Sequence, residues 1–508
     1  MGQEGSDAPV TLDDADRASI ALFRQALVTG EYDVAHVRPL LRGHGEALGA
    51  RPSDIPIIER LLPESTRLAP LMRLFMLGVA TSEADARRAL APLSLDAAVR
   101  LGVIRRDADA ITGAVHIAPT SDLLFASDRI PDNWLELRSD HVMGVATSSD
   151  LLASLTLRQP VERALDLGSG CGIQAVLAAR HAGKVIACDV NPRALNFTAF
   201  NALLNGLDNV ECRAGSLFEP VHGDRFDLIV SNPPFVISPE NAIAFRDGGM
   251  RGDDVSRHVI RSAAAHLREG GLAFVLMNWG IGAGARWPDR LRTWVADLPC
   301  DIWLLHHSSE AALFYAASWN SPLASQPEDY ADAIDRWTAY LGEIGFASVG
   351  YGAAILRRRS NTTNWVRLDD LGGQNEAASS EQVAQLIANQ DYLASLEDDR
   401  ALLDARLAML PGNRLEQVLR WHDGVADVDA ATLRHETGFR FPLPVDAFGA
   451  RVLSRLEGHT LREAVNAAAA DHFATTAVDH AALETAAVQF AKLTLGLGYT
   501  HVVGGRTN

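Results

Sequence analysis

A glycine-rich turn between residues 164 and 174 constrains the fold of this chain more than any other feature. It reads Ala-Leu-Asp-Leu-Gly-Ser-Gly-Cys-Gly-Ile-Gln, so an apolar strand ends near Asp166 and three alternating glycines lead into a helical pattern. Glycine lets the backbone come close to a ligand, and the free N–H groups at the start of the following helix favour a carboxylate or phosphate. The turn predicts a strand-to-helix junction that binds a ligand; a tight turn without a ligand is the alternative.

The surrounding sequence, from residue 141 to about 360, alternates apolar runs with helical patterns. This alternation predicts an α/β domain with a largely parallel, Rossmann-like sheet, which we place at residues 141–371. A helical insertion is expected over Pro327–Gly345. The seven expected strands are Arg163–Leu167, Lys184–Asp189, Asn209–Ala214, Phe226–Ser231, Leu272–Asn278, Asp301–His306 and Tyr351–Leu356.

The segments on either side of this domain have different patterns. Residues 1–140 have three short helical patterns and then a hairpin, which is the order of a winged-helix module. The helical patterns are Leu71–Leu77, Ser82–Leu90 and Ser94–Arg106, and the hairpin joins Ala114–Ala118 to Asp122–Ala126. A polar stretch, Gly372–Ser380, predicts a linker to a small α+β domain at residues 381–508, in which we find no catalytic pattern.

Charge limits the partners that this chain can have. Acidic residues number 64 and basic residues 46, for a formal charge of -18, so the chain repels a nucleic-acid backbone unless a local basic patch intervenes. Arg100, Arg105 and Arg106 lie on or after the third predicted helix, where nucleic-acid readers contact a groove. Yet residues 1–140 contain 21 acidic and 15 basic side chains. We therefore favour a protein substrate, and nucleic acid remains possible but disfavoured.

Cysteine usage and hydropathy suggest a compartment. Cys171, Cys188, Cys212 and Cys300 form no CxxC pair and no cluster with histidine, so neither a structural metal site nor a disulfide framework is expected. The sequence has no run of 18 apolar residues and begins with a polar, acidic segment. We expect a cytoplasmic protein without a membrane partner.

The second predicted strand of the central domain ends in another acidic residue. Asp189 follows Asp166 by 23 positions, where a carboxylate can accept both hydroxyls of a ribose. This position indicates an adenosine-containing cofactor. The glycine spacing is G-x-G-x-G, whereas a dinucleotide fingerprint has G-x-G-x-x-G, so Asp189 alone does not distinguish NAD from S-adenosylmethionine.

The fourth predicted strand runs directly into Asn232-Pro233-Pro234-Phe235. Two prolines restrict the loop, so the Asn232 amide and the Pro233 carbonyl can point at one spot beside the cofactor. Both groups can accept hydrogen bonds from a planar NH2 group and turn its nitrogen lone pair toward an electrophilic methyl group, while Phe235 offers an apolar face for stacking. This pattern predicts N-methylation.

With these motifs the sequence resembles the class I S-adenosylmethionine-dependent methyltransferases, and within them the HemK/PrmC-like protein-glutamine N5-methyltransferases. The resemblance covers about residues 141–280. It implies S-adenosyl-L-methionine as the cofactor and a protein glutamine as the favoured acceptor. Asn-Pro-Pro-Phe also occurs in RNA and DNA base N-methyltransferases. A base, a small molecule of specialised metabolism, or a cofactor-binding module without turnover are therefore the alternatives.

The resemblance also assigns roles to particular residues. The residues implied to bind the acceptor group are Asn232, Pro233, Pro234 and Phe235. The residues implied to bind the cofactor are Asp166, Gly168, Ser169, Gly170, Gly172, Asp189, Val190, Asn191, Ser216, Leu217 and Asn232. Residues 141–147 take the place of the segment that closes over the methionine end of the cofactor. Ser216 stands where the family usually has Asp, and Phe235 where glutamine methylation more often has Tyr.

Three other positions have weaker signals. Glu240 could contact substrate or cap a turn. Trp279 follows the fifth strand and is expected in the core rather than in a pocket wall. His306 and His307 have no Cys or Glu at metal spacing, so we expect polar packing at a sheet edge and no metal ligation.

Overall fold

The computed structural model describes residues 14–41, 54–63, 65–107, 110–131, 137–240, 246–360, 364–372, 380–422, 425–472 and 479–504. The chain divides into two compact units. One combines Met1–Ala153 with Arg158–Asp370, and the other combines Ser154–Leu157 with Leu371–Asn508. Among the described helices, none is both long enough and apolar enough to cross a bilayer.

The first unit begins with a mostly helical region. Its elements are α1 (Asp14–Thr29), α2 (Val34–Leu41), α3 (Ile55–Leu61), α4 (Leu68–Leu71), a π-helix (Met72–Leu77), β1 (Thr81–Ser82), α5 (Glu83–Leu90), α6 (Leu95–Arg100), β2 (Ile104–Asp107), β3 (Ala110–Gly113), β4 (His116–Thr120) and β5 (Leu123–Ser127). Strands β1, β3 and β2 form one small sheet, and β4 pairs with β5.

Two expectations about this region need correction. The helix predicted over Ser94–Arg106 ends at Arg100, because Gly102 takes a left-handed φ of 69° and the chain continues as β2. Arg105 and Arg106 therefore lie on a strand that pairs with β3. The predicted hairpin is present as β4 and β5, but a second hairpin, β2 and β3, precedes it. The winged-helix assignment of this region stays a prediction.

The central part of the first unit contains the large sheet. Its elements are α7 (Thr147–Leu155), β6 (Val161–Leu167), α8 (Ile173–Ala179), β7 (Ala182–Asp189), α9 (Pro192–Leu204), β8 (Val210–Ala214), β9 (Phe226–Ser231), α10 (Asp254–His266), β10 (Leu267–Ile281), α11 (Trp287–Val295), β11 (Cys300–Ala311), α12 (Ala312–Asn320), α13 (Pro327–Glu343), β12 (Ser348–Arg358) and β13 (Val366–Asp370). Short 3-10 turns occupy Glu219–Val221 and Ser321–Leu323.

The large sheet has eight strands in the order β13-β11-β12-β10-β9-β6-β7-β8. The run from β10 to β8 is parallel, and β12 is antiparallel to both of its neighbours. The mixed α/β fold is therefore confirmed, and all seven predicted strands are present. The chain order reverses between β6 and β9, and open α/β sheets bind ligands at such a reversal, beyond the carboxyl ends of the strands.

The helical region and the sheet share one hydrophobic core. Residues of α1, α5 and the π-helix pack in the same cluster as residues of α8 and α9. The Phe23 ring, on α1, lies 5.3 Å from the Phe75 ring and 6.4 Å from the Phe200 ring of α9. Burying these apolar faces together stabilises both segments, so the sequence boundary at residue 140 falls inside one packed unit.

The second unit is a smaller α+β structure. Its elements are α14 (Ser380–Ser395), a 3-10 turn (Asp399–Asp404), β14 (Leu407–Met409), β15 (Asn413–His422), β16 (Val425–His435), β17 (Leu443–Pro444), α15 (Ala447–Leu453), α16 (Leu461–His472), α17 (His480–Gly496) and β18 (Thr500–Val502). Its core surrounds Tyr499, whose hydroxyl donates a hydrogen bond to a backbone carbonyl. The predicted linker, Gly372–Ser380, lies outside the described residues except at its two ends.

Candidate active site

A cavity of about 740 Å³ opens at the carboxyl ends of β6, β7 and β9, where the strand order reverses. This volume is typical of small-molecule sites. The sequence-predicted residues on its wall are Asp166, Gly168, Ser169, Gly170, Asp189, Val190, Asn191, Ser216, Leu217, Asn232, Pro233, Pro234 and Phe235. The structure thus brings together residues that are far apart in the chain, from the glycine turn to the Asn-Pro-Pro-Phe loop.

Gly172 is the predicted residue that does not line this cavity. It precedes α8 with a φ of 81°, and a Cβ built there would lie 2.8 Å from the Cα of Thr198 on α9. The absent side chain lets the two helices approach. Thr198 also donates from Oγ1 to the Ser169 hydroxyl, at 3.0 Å, and this bond stabilises the glycine turn.

The glycine turn is held against the end of β7. The N–H groups of Gly168 and Ser169 donate to the Cys188 carbonyl at 2.8 and 3.0 Å. Gly168 and Gly170 have φ values of 75° and 54°, a region that side chains disfavour. A Cβ built on Gly170 would meet no atom within 4 Å, so the backbone here faces open space that a ligand can fill.

Asp189 sits where the turn meets β7. Its Oδ2 accepts the Gly170 N–H at 2.9 Å, and its Oδ1 accepts the Asn191 N–H at 2.8 Å. Burial raises the pKa of Asp189 above its ordinary value, and these backbone donors oppose that rise. Each oxygen keeps a further lone pair, which suits two neighbouring hydroxyl groups.

Asp166 lies deeper, at the end of β6. Its Oδ2 accepts the Ala175 N–H at 2.8 Å, which satisfies one of the free donors in the first turn of α8. Burial raises the pKa of Asp166 to about 7, and the charge of Asp189 adds to the rise. The Asp166 carboxyl group therefore changes its charge near neutral pH.

The Asn-Pro-Pro-Phe loop follows β9 directly. Ser231 donates from Oγ to the Leu167 carbonyl at 2.8 Å and ties β9 to β6. Asn232 donates from Nδ2 to Ser148 Oγ at 3.2 Å. Among the described residues no group donates to Asn232 Oδ1, which leaves that oxygen available as an acceptor. A Cβ on Gly168 would lie 3.9 Å from the Asn232 carbonyl oxygen, so the loop and the turn adjoin.

The far wall of the cavity comes from α12 and the turn after it. Trp319, Asn320, Pro322 and Leu323 line this side. Sequence reasoning missed them, because α12 is apolar on nearly all sides and shows no amphipathic period. The usable signal was the apolar and aromatic composition of residues 311–319 combined with strong helix formers.

Tyr315 links α12 to the loop after the motif. Its hydroxyl oxygen accepts the Ile237 N–H at 2.9 Å and the Asn278 Nδ2 at 3.1 Å. Burial raises the pKa of Tyr315 above its ordinary value, so the phenol stays neutral. These bonds fix the position of α12 relative to the residues that follow Phe235.

Glu240 lies on the cavity wall within a network of hydrogen-bond donors. It accepts from Arg246 at 3.1 Å, from Arg336 at 2.7 Å and from the Trp337 indole at 3.2 Å. Burial raises its pKa, but the donors outweigh burial and the pKa of Glu240 is lowered overall. The carboxylate therefore links Arg246 to Arg336 and Trp337 of α13.

The other candidates lie outside the cavity wall. Trp279 is fully buried and contacts the Trp287 ring at 6.1 Å, as expected for a core residue. His306 stacks on Trp287 at 5.1 Å, contacts Ser309 Oγ at 2.7 Å and lies 3.0 Å from Asp370. The described residues contain no cluster of three or more His, Cys, Asp or Glu side chains suited to a metal ion.

Two protein families match parts of the chain. Residues 143–292 match the family described as “Methyltransferase small domain”, and residues 29–114 match a “Domain of unknown function (DUF7059)”. The first match spans the cavity's glycine turn and its Asn-Pro-Pro-Phe loop. The second spans much of the helical region.

Curated relatives match part of the chain. A ribosomal protein uL3 glutamine methyltransferase from Bradyrhizobium diazoefficiens is 36% identical over 205 residues, covering 37% of this chain and 60% of that protein. A release factor glutamine methyltransferase from Xylella fastidiosa is 37% identical over 136 residues, covering 24% and 50%. A ribosomal RNA small subunit methyltransferase C from Salmonella arizonae is 34% identical over 137 residues, covering 27% and 36%.

The chain thus spans between about a third and three fifths of the length of these relatives. The resemblance inferred from the motifs is confirmed: residues 143–292, which include the glycine turn and the Asn-Pro-Pro-Phe loop, match a methyltransferase domain, and the chain is similar to glutamine methyltransferases.

Proposed function

We propose that this protein transfers a methyl group from S-adenosyl-L-methionine to the side-chain amide nitrogen of a protein glutamine. The observation that carries the proposal is the state of Asn232. Its Nδ2 is held by Ser148, and its Oδ1 has no donor among the described residues. Asn232 lines the cavity together with the adjoining glycine turn.

The residues of the turn fit the cofactor. The open space beside Gly170 admits a ligand close to the backbone, and the Asp189 carboxylate suits the two ribose hydroxyls. Asp166 offers a carboxylate to a cationic group when ionised. S-adenosyl-L-methionine supplies an electrophilic methyl group on a sulfonium centre, so the protein needs no strong general base to activate the acceptor.

The chain's own contribution is position and exclusion of water. Asn232 Oδ1 and the Pro233 carbonyl accept the two N–H groups of the acceptor amide, which orients its nitrogen. Phe235 covers the amide on an apolar side, where its ring lies 5.8 Å from the Tyr351 ring. The hydroxyl of Tyr315, on α12, accepts the Ile237 N–H and so stabilises the segment that follows Phe235.

Relatives named as glutamine methyltransferases support a protein acceptor, and relatives named as ribosomal RNA methyltransferases support a base. The charge of -18 favours the protein. An enzyme that binds phosphates loses affinity with salt by about 0.7 to 0.9 log units per log unit of salt for each phosphate neutralised.

The test is transfer of a radiolabelled methyl group into a cell lysate, followed by separate protease and nuclease digestion. We expect label that protease releases and nuclease does not, with only weak salt dependence. Asn232→Ala, which should retain cofactor binding, is the inactive control. Label in RNA, with an acceptor KM that rises about tenfold or more between low and physiological salt, would mean that the acceptor is a base.

A further inference from the structure

A second concavity lies on the outer side of α12, away from the cavity. We call it the α12 groove; Glu310, Phe314, Ala317, Ser318 and Tyr330 are among its lining residues. Phe314, Ala317 and Ser318 follow the i, i+3, i+4 spacing of one helix face. Trp319 and Asn320, which line the cavity, fall on the opposite face. One helix therefore separates the groove from the cavity.

The α12 groove exposes the aromatic side chain of Phe314 to solvent. Phe314 is 68% exposed, although it belongs to a well-packed helix. The helix is held by its other side, where Tyr315 and Ala316 are buried. An exposed aromatic side chain in a concave surface is suited to contact another protein, because aromatic residues are enriched at interfaces.

The charges near the groove indicate which kind of partner can bind there. Glu310 lines the groove, and α13 carries the exposed residues Glu328, Asp329, Asp332 and Asp335. In the described part of the chain none of these five carboxylates forms an ion pair. Arg336, the basic residue of α13, is engaged by Glu240. An exposed aromatic side chain beside unneutralised negative charge is complementary to a cationic, partly apolar polypeptide, and the negative charge repels nucleic acid.

Asn320 is a polar residue of α12 that lines the cavity. It is 5% exposed and lines the cavity, and its Nδ2 donates to the Ala316 carbonyl at 2.8 Å. No described group donates to its Oδ1, and that atom is not among the fully buried unpartnered atoms. The Asn320 Oδ1 is therefore open to a group bound in the cavity, next to the acceptor loop.

We propose that the α12 groove docks a cationic, partly apolar segment of the acceptor protein while the glutamine enters the cavity on the other side of α12. The inference rests on the proposed function, because it names the acceptor's docking segment. A helix with side chains is about 10 Å across, so a path around half of its circumference is about 16 Å and takes roughly five extended residues between the docked segment and the glutamine. The apolar residue of the segment contacts Phe314, and its Lys or Arg side chains face α13.

The test uses a fluorescein-labelled peptide with one glutamine followed by a Leu- and Lys-rich segment, and a matched peptide with Glu in place of each Lys. Anisotropy with the full chain measures binding. We expect the cationic peptide to bind at least about tenfold tighter than the acidic one. Phe314→Ala should weaken it about fivefold or more, since it removes an aromatic contact.

The triple variant Glu328→Gln, Asp329→Asn, Asp332→Asn should also weaken the cationic peptide about tenfold at low salt. Two matched controls should bind it like the wild type. Trp421→Ala removes an aromatic side chain that is 72% exposed in the other unit. The second control is the triple variant Asp208→Asn, Glu381→Gln, Glu457→Gln, which removes the same charge from other exposed sites.

Methyl transfer from S-adenosyl-L-methionine to protein, measured beside peptide binding, separates the two proposals. If the proposed function fails, the wild type transfers no methyl group to protein, whatever the peptide binding. If only the docking inference fails, methyl transfer persists, and the groove variants bind the cationic peptide and use protein acceptors with an unchanged KM. Equal binding of the two peptides by the wild type would also overturn the docking inference.

Discussion

The two walls of the cavity are built in different ways. The cofactor-side wall is a short stretch of backbone, from Asp166 to Gly170, whose N–H groups bond to the neighbouring strand and to Asp189. The wall that we propose faces the acceptor includes apolar and amide side chains on α12, more than 140 positions later in the chain. The glycine turn is encoded by residues adjacent in the sequence, whereas α12 reaches the cavity only through tertiary packing.

This difference predicts that substitutions on each wall affect different constants. Changes near the turn should alter cofactor affinity, and changes on α12 should alter use of the acceptor. Asn232 lies between the walls and should affect the chemical step. The following expectations test that division, in order of decreasing effect.

The largest effect is expected from Asn232→Ala. Loss of one preorganised polar group should lower turnover by roughly 10² to 10³. Calorimetry should show nearly unchanged affinity for S-adenosyl-L-methionine, because the amide contacts the acceptor. Ser148→Ala, which removes the partner of Nδ2 but keeps Oδ1, should cost much less. Equal damage to cofactor binding and turnover would mean that the loop has a structural role.

Asp189→Ala should weaken cofactor binding by about tenfold or more. Hydrogen bonds to a charged group are worth about 1.5 to 3 kcal/mol, and both carboxylate oxygens are positioned to accept. Titration calorimetry on the folded variant measures the change, with the melting temperature as a control. Wild-type affinity in a folded variant would remove Asp189 from the site.

The raised pKa of Asp166 predicts a pH dependence of comparable size. Its folded pKa of about 7 lies above the ordinary value, so its contribution to stability is present at low pH and is lost as pH rises through 7. Binding of a cationic cofactor favours the ionised form. Affinity should therefore fall about tenfold from pH 8 to pH 6, since only about a tenth of the group is ionised at pH 6.

Asp166→Asn provides the control for this pH dependence. The amide keeps the shape of the carboxyl group and cannot titrate in this range. The variant should bind the cofactor weakly and with a flat profile between pH 6 and pH 8. A profile with the wild-type slope would assign the titration to another group.

Trp319→Ala should have the smallest effect, about fivefold on the KM of the acceptor. Its side chain lines the acceptor side of the cavity and has no part in the glycine turn. Cofactor affinity should stay at the wild-type value. Steady-state kinetics at saturating cofactor measure the KM. A matched loss of cofactor affinity would show that the two walls are not independent.

The strands and the strand-to-helix turn beside the cavity were predicted because their signals are local. The strand over Phe226–Ser231 has the predicted bounds, and the glycine turn joins β6 to α8 as predicted. Each depends on residues that are adjacent in the chain, because glycine and proline directly set which backbone angles are allowed.

The rest depends on packing that no local pattern records. Strand β13 reads Val-Arg-Leu-Asp-Asp, a mostly polar segment that becomes a strand because it pairs with the edge of β11. Helix α12 lacks the period that identifies helices, and Gly172 is needed for the approach of α8 to α9. The sequence did contain a signal for the end of α6 at Arg100. Gly102 is a typical residue after a helix end, and the helix predicted over Ser94–Arg106 did not take it into account.

The central claim is methyl transfer to a glutamine amide of a protein. Its most direct test is tandem mass spectrometry of the proteins that the wild type labels in a lysate, with proteins treated by Asn232→Ala as the background. We predict N5-methylglutamine in a peptide that the background lacks. A methyl group on another amino acid, or label confined to nucleosides or small molecules, would contradict the account.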